Sequence, residues 1–369
     1  MSLDYSLSCH FRPASGWMND PNGLIEYKGY YHLFYQCCPH FETPWREAMY
    51  WGHARTKDFL HWEELPLALS PTDPFDNMGC WSGTAIEKDG RLYLFYASIR
   101  GGRQEISVAW SDDGVTFEKY AENPVISEYP PEGSGDFRDP AVLKWEENGH
   151  TGYRLVIASG NEAADAGRLL LYRSGDLLHW DYDGVVYEVP GAHDCECPSF
   201  LRSPDGTCVL ATSIEYHKPE QRKDFVLMSG SFDGRSFTPA VTSHPQKGPD
   251  QYAGQIFTDK SGRHILITWI PGWHFAGYGE RSVSCMSLPM EVTVTDRGIT
   301  TYPVAEVRHL LTDTDPAIER TADGFVVRRT DREDVTFTGE IREMAVLRDN
   351  YVLEIFINHG EQVVSVILC

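Results

Sequence analysis

The sequence predicts an all-β fold, a radially stacked propeller followed by a short second β domain. Three observations carry that reading. Short runs rich in Tyr, Val, Ile, Leu and Phe recur every 8 to 12 residues between Gly, Pro, Asn and Asp; no segment sustains a helical period; and one turn motif repeats along the chain. The motif is Ser/Thr-x-Asp-x-x-x-aromatic. It appears at Thr56-Lys57-Asp58 with Trp62, Ser111-Asp112-Asp113 with Phe117, Ser174-Gly175-Asp176 with Trp180, and Ser231-Phe232-Asp233 with Phe237.

The first element begins at "GWMNDPNG", residues 16 to 23, where Trp17 and Met18 stand directly against the turn-prone Asn19-Asp20-Pro21-Asn22-Gly23. Asn and Asp bond to their own backbone, Pro presets φ and Gly closes, so the local reading is a turn into the strand run "LIEYKGYYHLFYQ". Further on, "MYWGHAR", "EISVAW", "LLLYR" and "FVLMSG" each lead into one copy of the repeat. The copies start 55, 63 and 57 residues apart, enough for a four-stranded unit with its loops, and such units stack as propeller blades. In each turn the Asp accepts backbone N–H bonds while the aromatic plugs the next apolar layer. Asp58, Asp113, Asp176 and Asp233 are therefore structural. Four copies leave room for a fifth blade before about Pro303, after which "GFVVRRT", "DVTFTG", "MAVLR", "YVLEIFIN" and "QVVSVILC" read as antiparallel strands with turns at Asp349-Asn350 and His359-Gly360. The expected division is residues 1–302 as propeller and 303–369 as a small C-terminal β domain.

Lys and Arg total 32 against 54 Asp and Glu, a net charge of −22 spread along the chain. Such a surface repels phosphate backbones and anionic lipid, which excludes nucleic acid and membrane as natural partners and favours a neutral small molecule. Nine cysteines, an odd number, read as reduced thiols instead of a disulfide framework. The start "MSLDYSLSCHF" has no signal pattern and no apolar run approaches a membrane span, so the expectation is a cytoplasmic protein.

Three acids stand outside the turn repeat in unusual contexts: Asp20 in "NDPNG", Asp139 in "DFRDPAV" beside Arg138, and Glu196 in "HDCECPSF". Each is followed by Pro, directly or one residue later, which limits how the carboxylate can point. They fall in the first, third and fourth repeat intervals, so inner strands of different blades could bring them to one axial funnel. Carboxyl groups flanking one bond are what retaining glycoside hydrolysis requires. On spacing alone, an ordinary Arg138–Asp139 ion pair and a solvated Glu196 remain open. "HDCEC" could also be read as a metal cluster through His193, Asp194, Cys195 and Cys197, but it lacks the paired spacing of zinc sites. The reading calls for no metal and no cofactor, with both cysteines as small apolar neighbours of Glu196.

At these acids the chain resembles family 32 of the glycoside hydrolases, the group of invertases, sucrose-6-phosphate hydrolases, inulinases, levanases and related fructosyltransferases. The resemblance rests on "WMNDPNGL", "YYHLFYQ", "WGHARTKDFLHWEELPLAL", "WSGTA", "SDDGVTFEKYAENPVI", "FRDP", "ECPSF" and "YPVAEVRHL", in the family's order, and covers roughly residues 10 to 300. It implies a five-bladed β-propeller followed by a β-sandwich and release of terminal β-fructofuranosyl units with retention. By motif position Asp20 corresponds to the nucleophile, Glu196 to the general acid/base and Asp139 to the residue that holds sugar hydroxyls. Asn19, Gln36, Trp45, Trp81, Ser82, Arg138, Tyr252 and Trp273 correspond to the fructose pocket. Turn N–H groups are expected to keep the Asp20 pKa low, neighbouring carboxylates to raise that of Glu196, and Arg138 to keep Asp139 charged.

The chain departs from the family pattern at Cys38, Gly254 and Met290, where Asn, Pro and Arg are usual, and its second domain is short, leaving pairing with a second copy of the chain open. The expected function is a β-fructofuranosidase acting on sucrose or short fructo-oligosaccharides. Alternatives are a fructosyltransferase on the same substrates and a non-catalytic sugar-binding propeller.

Overall fold

A computed structural model describes residues 5–147, 149–203, 205–216, 223–273, 275, 282–295, 298–330 and 332–369. Twenty-one strands lie between Trp17 and Pro303, and they form five antiparallel sheets. Blade one comprises Trp17–Tyr27, Tyr30–Cys38, Tyr50–Thr56 and Glu63–Leu69; blade two comprises Gly79–Lys88, Arg91–Arg100, Arg103–Ser111 and Glu118–Lys119. Blades three and four start with Phe137–Glu147 and Asp194–Arg202, and blade five with Tyr252–Thr258. These five inner strands neighbour one another in a closed cycle, the first against the fifth, so the molecule is a five-bladed β-propeller. Among the described residues no helix is long and apolar enough to cross a membrane.

The repeated turn links the third and fourth strands of blades one to four. Asp58 Oδ1 accepts from the Leu60 and His61 N–H groups at 3.0 and 2.9 Å, and Asp113, Asp176 and Asp233 do the same for the residues two and three positions on. The aromatic that follows packs on the preceding blade: Phe117 against Phe34 at 5.5 Å, Trp180 against Phe95 at 5.7 Å, and Phe237 against Tyr187 at 6.2 Å between ring centroids. The motif therefore welds neighbouring sheets. Blade five lacks it because its last two strands, Met290–Thr295 and Gly298–Pro303, are separated by only residues 296 and 297.

The string Asn19–Gly23 departs from expectation. It forms no turn and lies inside the 11-residue strand Trp17–Tyr27, whose pairing register shifts between Met18 and Pro21 and again between Asn22 and Ile25. Residues that favour turns also favour β-bulges, where the ladder is interrupted and a missing N–H or an unusual φ costs little. The same shift recurs at the start of every inner strand, at Trp81/Gly83, Arg138/Ala141, Glu196/Ser199 and Tyr252/Gln255. In blades three to five one bulge residue takes a positive φ: Asp139 at 55°, Cys197 at 46° and Ala253 at 52°. Pro or Gly follows each bulge, as Pro21, Gly83, Pro140, Pro198 and Gly254. A Cβ on Gly254 would meet the Phe225 ring at 2.6 Å, which shows how closely this side chain of blade four approaches there.

Beyond the propeller, Ile318–Arg320, Gly324–Val327 and Val335–Thr338 form one three-stranded sheet and Met344–Asp349, Val352–Ile357 and Gln362–Ile367 another. Phe325, Phe337, Val346, Leu353, Ile355 and Val364 share a core between them, making a small β-sandwich. The second sheet also buries its other face, with Leu347, Phe356 and Val363 joining the propeller's own apolar cluster. Its outer edges are occupied: Val346 exchanges both backbone hydrogen bonds with Thr312, and Val363 donates to the Pro245 carbonyl.

The N-terminal segment ties this sandwich down. The Asp349 carboxylate accepts from the backbone N–H groups of Ser8, Cys9 and His10 at 2.8, 2.8 and 2.9 Å. The buried His10 ring bridges Asp349 Oδ2 at 3.0 Å and Glu354 Oε2 at 2.9 Å.

Candidate active site

The bulged starts of the inner strands bring side chains from every blade to the axial funnel, and there the chain forms a cavity of about 400 Å³. Blade one supplies Asn19 and Asp20 from its first strand and Gln36 from its second, with Trp45 from the loop that follows. Trp81 and Ser82 enter from blade two, Arg138 and Asp139 from blade three, Glu196 from blade four, and Tyr252 with Trp273 from blade five. All eleven residues singled out in the sequence thus line one cavity.

Asp20 Oδ2 accepts the Ser82 hydroxyl at 3.0 Å and lies 3.6 Å from the Cys197 sulfur. The same sulfur is 3.6 Å from Asp139 Oδ2, so the two carboxylates stand within about twice that distance of one another. Asp139 also accepts the Cys197 backbone N–H at 2.8 Å. Cys197 is buried at the funnel floor, while Cys195 packs into the core between blades three and four. Glu196 Oε1 accepts from Arg138 at 3.0 Å, and its Oε2 accepts the Tyr252 hydroxyl, with the Lys223 ammonium at 3.9 Å.

Aromatic rings wall the cavity. Trp45, 63% exposed, meets Trp81 edge-on at 5.6 Å, and Tyr252, Trp273, Trp269 and Trp17 contact one another in sequence at 5.4, 5.6 and 6.0 Å. Trp17 Nε1–H also donates to Asn19 Oδ1 at 3.1 Å, and Gln36 Nε2 donates to the Cys80 carbonyl at 2.9 Å, which holds both amides in place. Cys38 is buried against Met49 Sδ at 3.3 Å and is not among the residues that line the cavity.

The electrostatics differ from the sequence expectation in three ways. Desolvation and the nearby Glu196 charge raise the Asp20 pKa, and the bonds from Asn19 and Ser82 offset only part of that rise. Desolvation likewise lifts Asp139 to about 7. Arg138 does not bond to Asp139, although its charge offsets part of that rise; its guanidinium joins Asp136 Oδ1 at 2.8 Å, Asp194 and Glu196. For Glu196 desolvation is outweighed by Arg138, Lys223 and the Tyr252 hydroxyl, which hold its pKa below the ordinary value. Sequence reasoning missed Lys223, Asp136 and Asp194 as partners. Of these only Asp194, two residues from Glu196 in the alternating pattern of a strand, carried a local signal.

Two sets of potential metal ligands fall within 4.8 Å among the described residues, Asp136 with His193 and Asp194, and Asp194 with Glu196 and Glu215. Side chains already supply cations to both: Arg138 bonds Asp136, Asp194 and Glu196, and Lys223 pairs with Glu215 at 3.1 Å.

Comparison with known proteins places this geometry. The model of the glycosyl hydrolases family 32 N-terminal domain matches residues 10–303. Sucrose-6-phosphate hydrolase from Zymomonas mobilis is 36% identical over 337 residues, covering 84% of this chain and 64% of that protein. Raffinose invertase from Escherichia coli is 35% identical over 321 residues, covering 82% and 65%. The chain thus spans about two thirds or slightly less of the length of these curated relatives. A GH32 beta-fructofuranosidase from Bombyx mori superposes with a TM-score of 0.82 at 27% identity, covering 99% of this chain and 89% of that one. The structure of sucrose-6-phosphate hydrolase from Lactobacillus gasseri, at 22% identity and a TM-score of 0.83, shares the fold. Propeller, funnel and motif order agree with one conclusion: the chain belongs to glycosyl hydrolase family 32.

Proposed function

We propose that the protein is a retaining β-fructofuranosidase that releases terminal fructosyl units from sucrose or short fructo-oligosaccharides. The observation that carries this reading is the convergence of Asp20, Asp139 and Glu196, from three different inner strands, on one aromatic-walled cavity. Family membership supports it, as does the likeness to sucrose-6-phosphate hydrolase, raffinose invertase and levanase. Nine cysteines with no disulfide between them, seven of them buried, fit a reducing, cytoplasmic setting.

In this mechanism Asp20 attacks the anomeric carbon of fructose while Glu196 gives its proton to the leaving oxygen, forming a fructosyl–Asp20 ester. Glu196, now a carboxylate, takes a proton from water, and the hydroxyl cleaves the ester to free fructose and Asp20. Asp139 accepts hydrogen bonds from ring hydroxyls. Three acids in one desolvated cavity cannot all be charged, and with the cavity free of sugar the charge favours Glu196. Sugar hydroxyls donating to Asp20 and Asp139 favour their ionised forms, and those two charges in turn favour protonation of Glu196.

A panel of sucrose, sucrose 6-phosphate, 1-kestose, inulin and levan, read by fructose release, tests the reading. Release is expected from the first or third at least, with the β-anomer formed first by NMR. Glu196→Gln should lower kcat by roughly 10²- to 10⁴-fold. Initial release of the α-anomer, or no release from any member, would overturn the assignment.

Lys223 gives a pH test. Removing its charge as Lys223→Met disfavours ionised Glu196 and raises its pKa. The acid must carry its proton, so the alkaline limb of kcat/KM is expected to move to higher pH. A limb that stays put, or moves down, removes Lys223 from the control of Glu196.

A further inference from the structure

Each inner-strand bulge interrupts the ladder, so the backbone groups stranded there need partners from elsewhere. The preceding blade supplies them. Thr84 of blade two donates to the Pro140 carbonyl of blade three at 2.9 Å, Asp139 of blade three accepts the Cys197 N–H of blade four at 2.8 Å, and Ser213 of blade four accepts the Ala253 N–H of blade five at 3.1 Å. One contact breaks this order. Gln255 of blade five donates through Nε2 to the Gly83 carbonyl of blade two at 3.0 Å, although the inner strand of blade one stands between those two in the cycle. We infer that Gln255 is a positioning residue for the nucleophile, gripping Gly83 so that the neighbouring Ser82 holds Asp20 in its attacking orientation. This rests on the fructosidase reading above and deepens it.

Gly83 needs the grip. It forms the bulge with Ser82, where the register shifts between Trp81 and Gly83. A glycine backbone is permissive, and no side chain could pack here to restrain it, since a Cβ would meet the Phe95 carbonyl oxygen at 1.9 Å. Hydrogen bonds restrain it instead. Asn22 Oδ1 accepts the Gly83 N–H at 3.4 Å and Gln255 serves the carbonyl, so the peptide groups before and after Gly83 are both held. The Trp51 indole donates to the Trp81 carbonyl at 2.9 Å, which leaves Ser82 clamped between two anchored neighbours.

Ser82 is the link to the chemistry. Its hydroxyl donates to Asp20 Oδ2 at 3.0 Å and steadies the carboxylate that must face the anomeric carbon. Gln255 is buried and is not among the residues that line the cavity, so it acts on the reaction only through others. Without its donor the buried Gly83 carbonyl is left unpaired, a state the flexible peptide relieves by turning, and Ser82 turns with it. A displacement of about 1 Å at the attacking group is enough to slow the chemistry strongly while leaving the sugar-binding surface as it was.

The test measures kcat per folded enzyme and KM for sucrose and 1-kestose in the wild type, Gln255→Met, Gln255→Asn, Ser82→Ala and the double variant Ser82→Ala/Gln255→Met. Met keeps the length of the side chain without the donor, and Asn keeps the amide one methylene short of Gly83. Either change is expected to lower kcat by about tenfold with KM within about twofold, and the Asn variant carries the test should the Met variant not fold. On top of Ser82→Ala, Gln255→Met should alter kcat by less than about twofold, because the link it acts through is already gone. Normal kcat in the Gln255 variants, a rise in KM in place of the fall in kcat, or a full tenfold loss added to that of Ser82→Ala would overturn the positioning role. A wild type that releases fructose from neither sugar sinks the fructosidase reading itself, a result distinct from an active wild type with indifferent Gln255 variants.

Discussion

Asp20→Ala is expected to reduce fructose release by at least about a thousandfold with little change in melting temperature. Loss of the attacking group removes the covalent route, and knockouts of single nucleophiles commonly cost this much or more. Folding should tolerate the change because the carboxylate is only half-buried, and its removal relieves a desolvated charge beside Glu196. The Ser82 hydroxyl that donates to it can turn to water in the open funnel. A small nucleophile such as azide should restore part of the turnover by occupying the vacated space, giving a product of opposite anomeric configuration. Retention of more than a tenth of normal turnover by Asp20→Ala would remove Asp20 from the nucleophile role and leave Asp139 as the carboxylate to test next.

The largest effect on stability is expected at His10. This ring, 5% exposed, sits between Asp349 and Glu354. Burial alone would lower its pKa, but the bonds and charges of the two acids outweigh burial and raise it from 6.5 to about 9. Truncation as His10→Ala strands two buried carboxylates and should cost about 3 kcal/mol, seen as a Tm lower by several degrees. The pH dependence follows from the sign of the shifts. A raised imidazole pKa contributes fully below pH 6.5 and fades as pH climbs through about 9; the Asp349 pKa, lowered from 3.8 to about 2, contributes above the first value and is lost on acidification through the second. Wild-type Tm should therefore decline between pH 6.5 and 9 more steeply than that of the variant. Parallel curves, or equal melting temperatures at pH 6, would show that the contact adds nothing.

Much of the site was legible because its residues sit in short strings whose chemistry is local. "NDPNG", "FRDP" and "ECPSF" each announce a carboxylate beside a Pro, and the Asp turns announce themselves by their spacing. The same strings misled about conformation. Asn19 to Gly23 satisfy the rules for a turn and for a bulge equally well, and only the pairing of Met18 with Cys37 and Pro21 with Tyr35 decides between them. Charge balance was less accessible still. The Glu196 pKa depends on Arg138 from blade three and Lys223 from the third-strand side of blade four, and no sequence pattern measures how far apart such groups finish. His10 lies in no motif, and its partners are more than 330 residues away. Gly254, a departure from the pattern of the resemblance, occupies a tightly packed position where a Cβ would need the Phe225 ring to move.

The kink shared by all five axial strands separates what holds the wheel together from what it does. Ladder pairing resumes just outside each kink. Asp20, Ser82, Asp139, Glu196 and Tyr252 stand at or beside these kinks and line the funnel. Exchanging a single one of these side chains is therefore expected to change the funnel's lining without rebuilding the sheets around it.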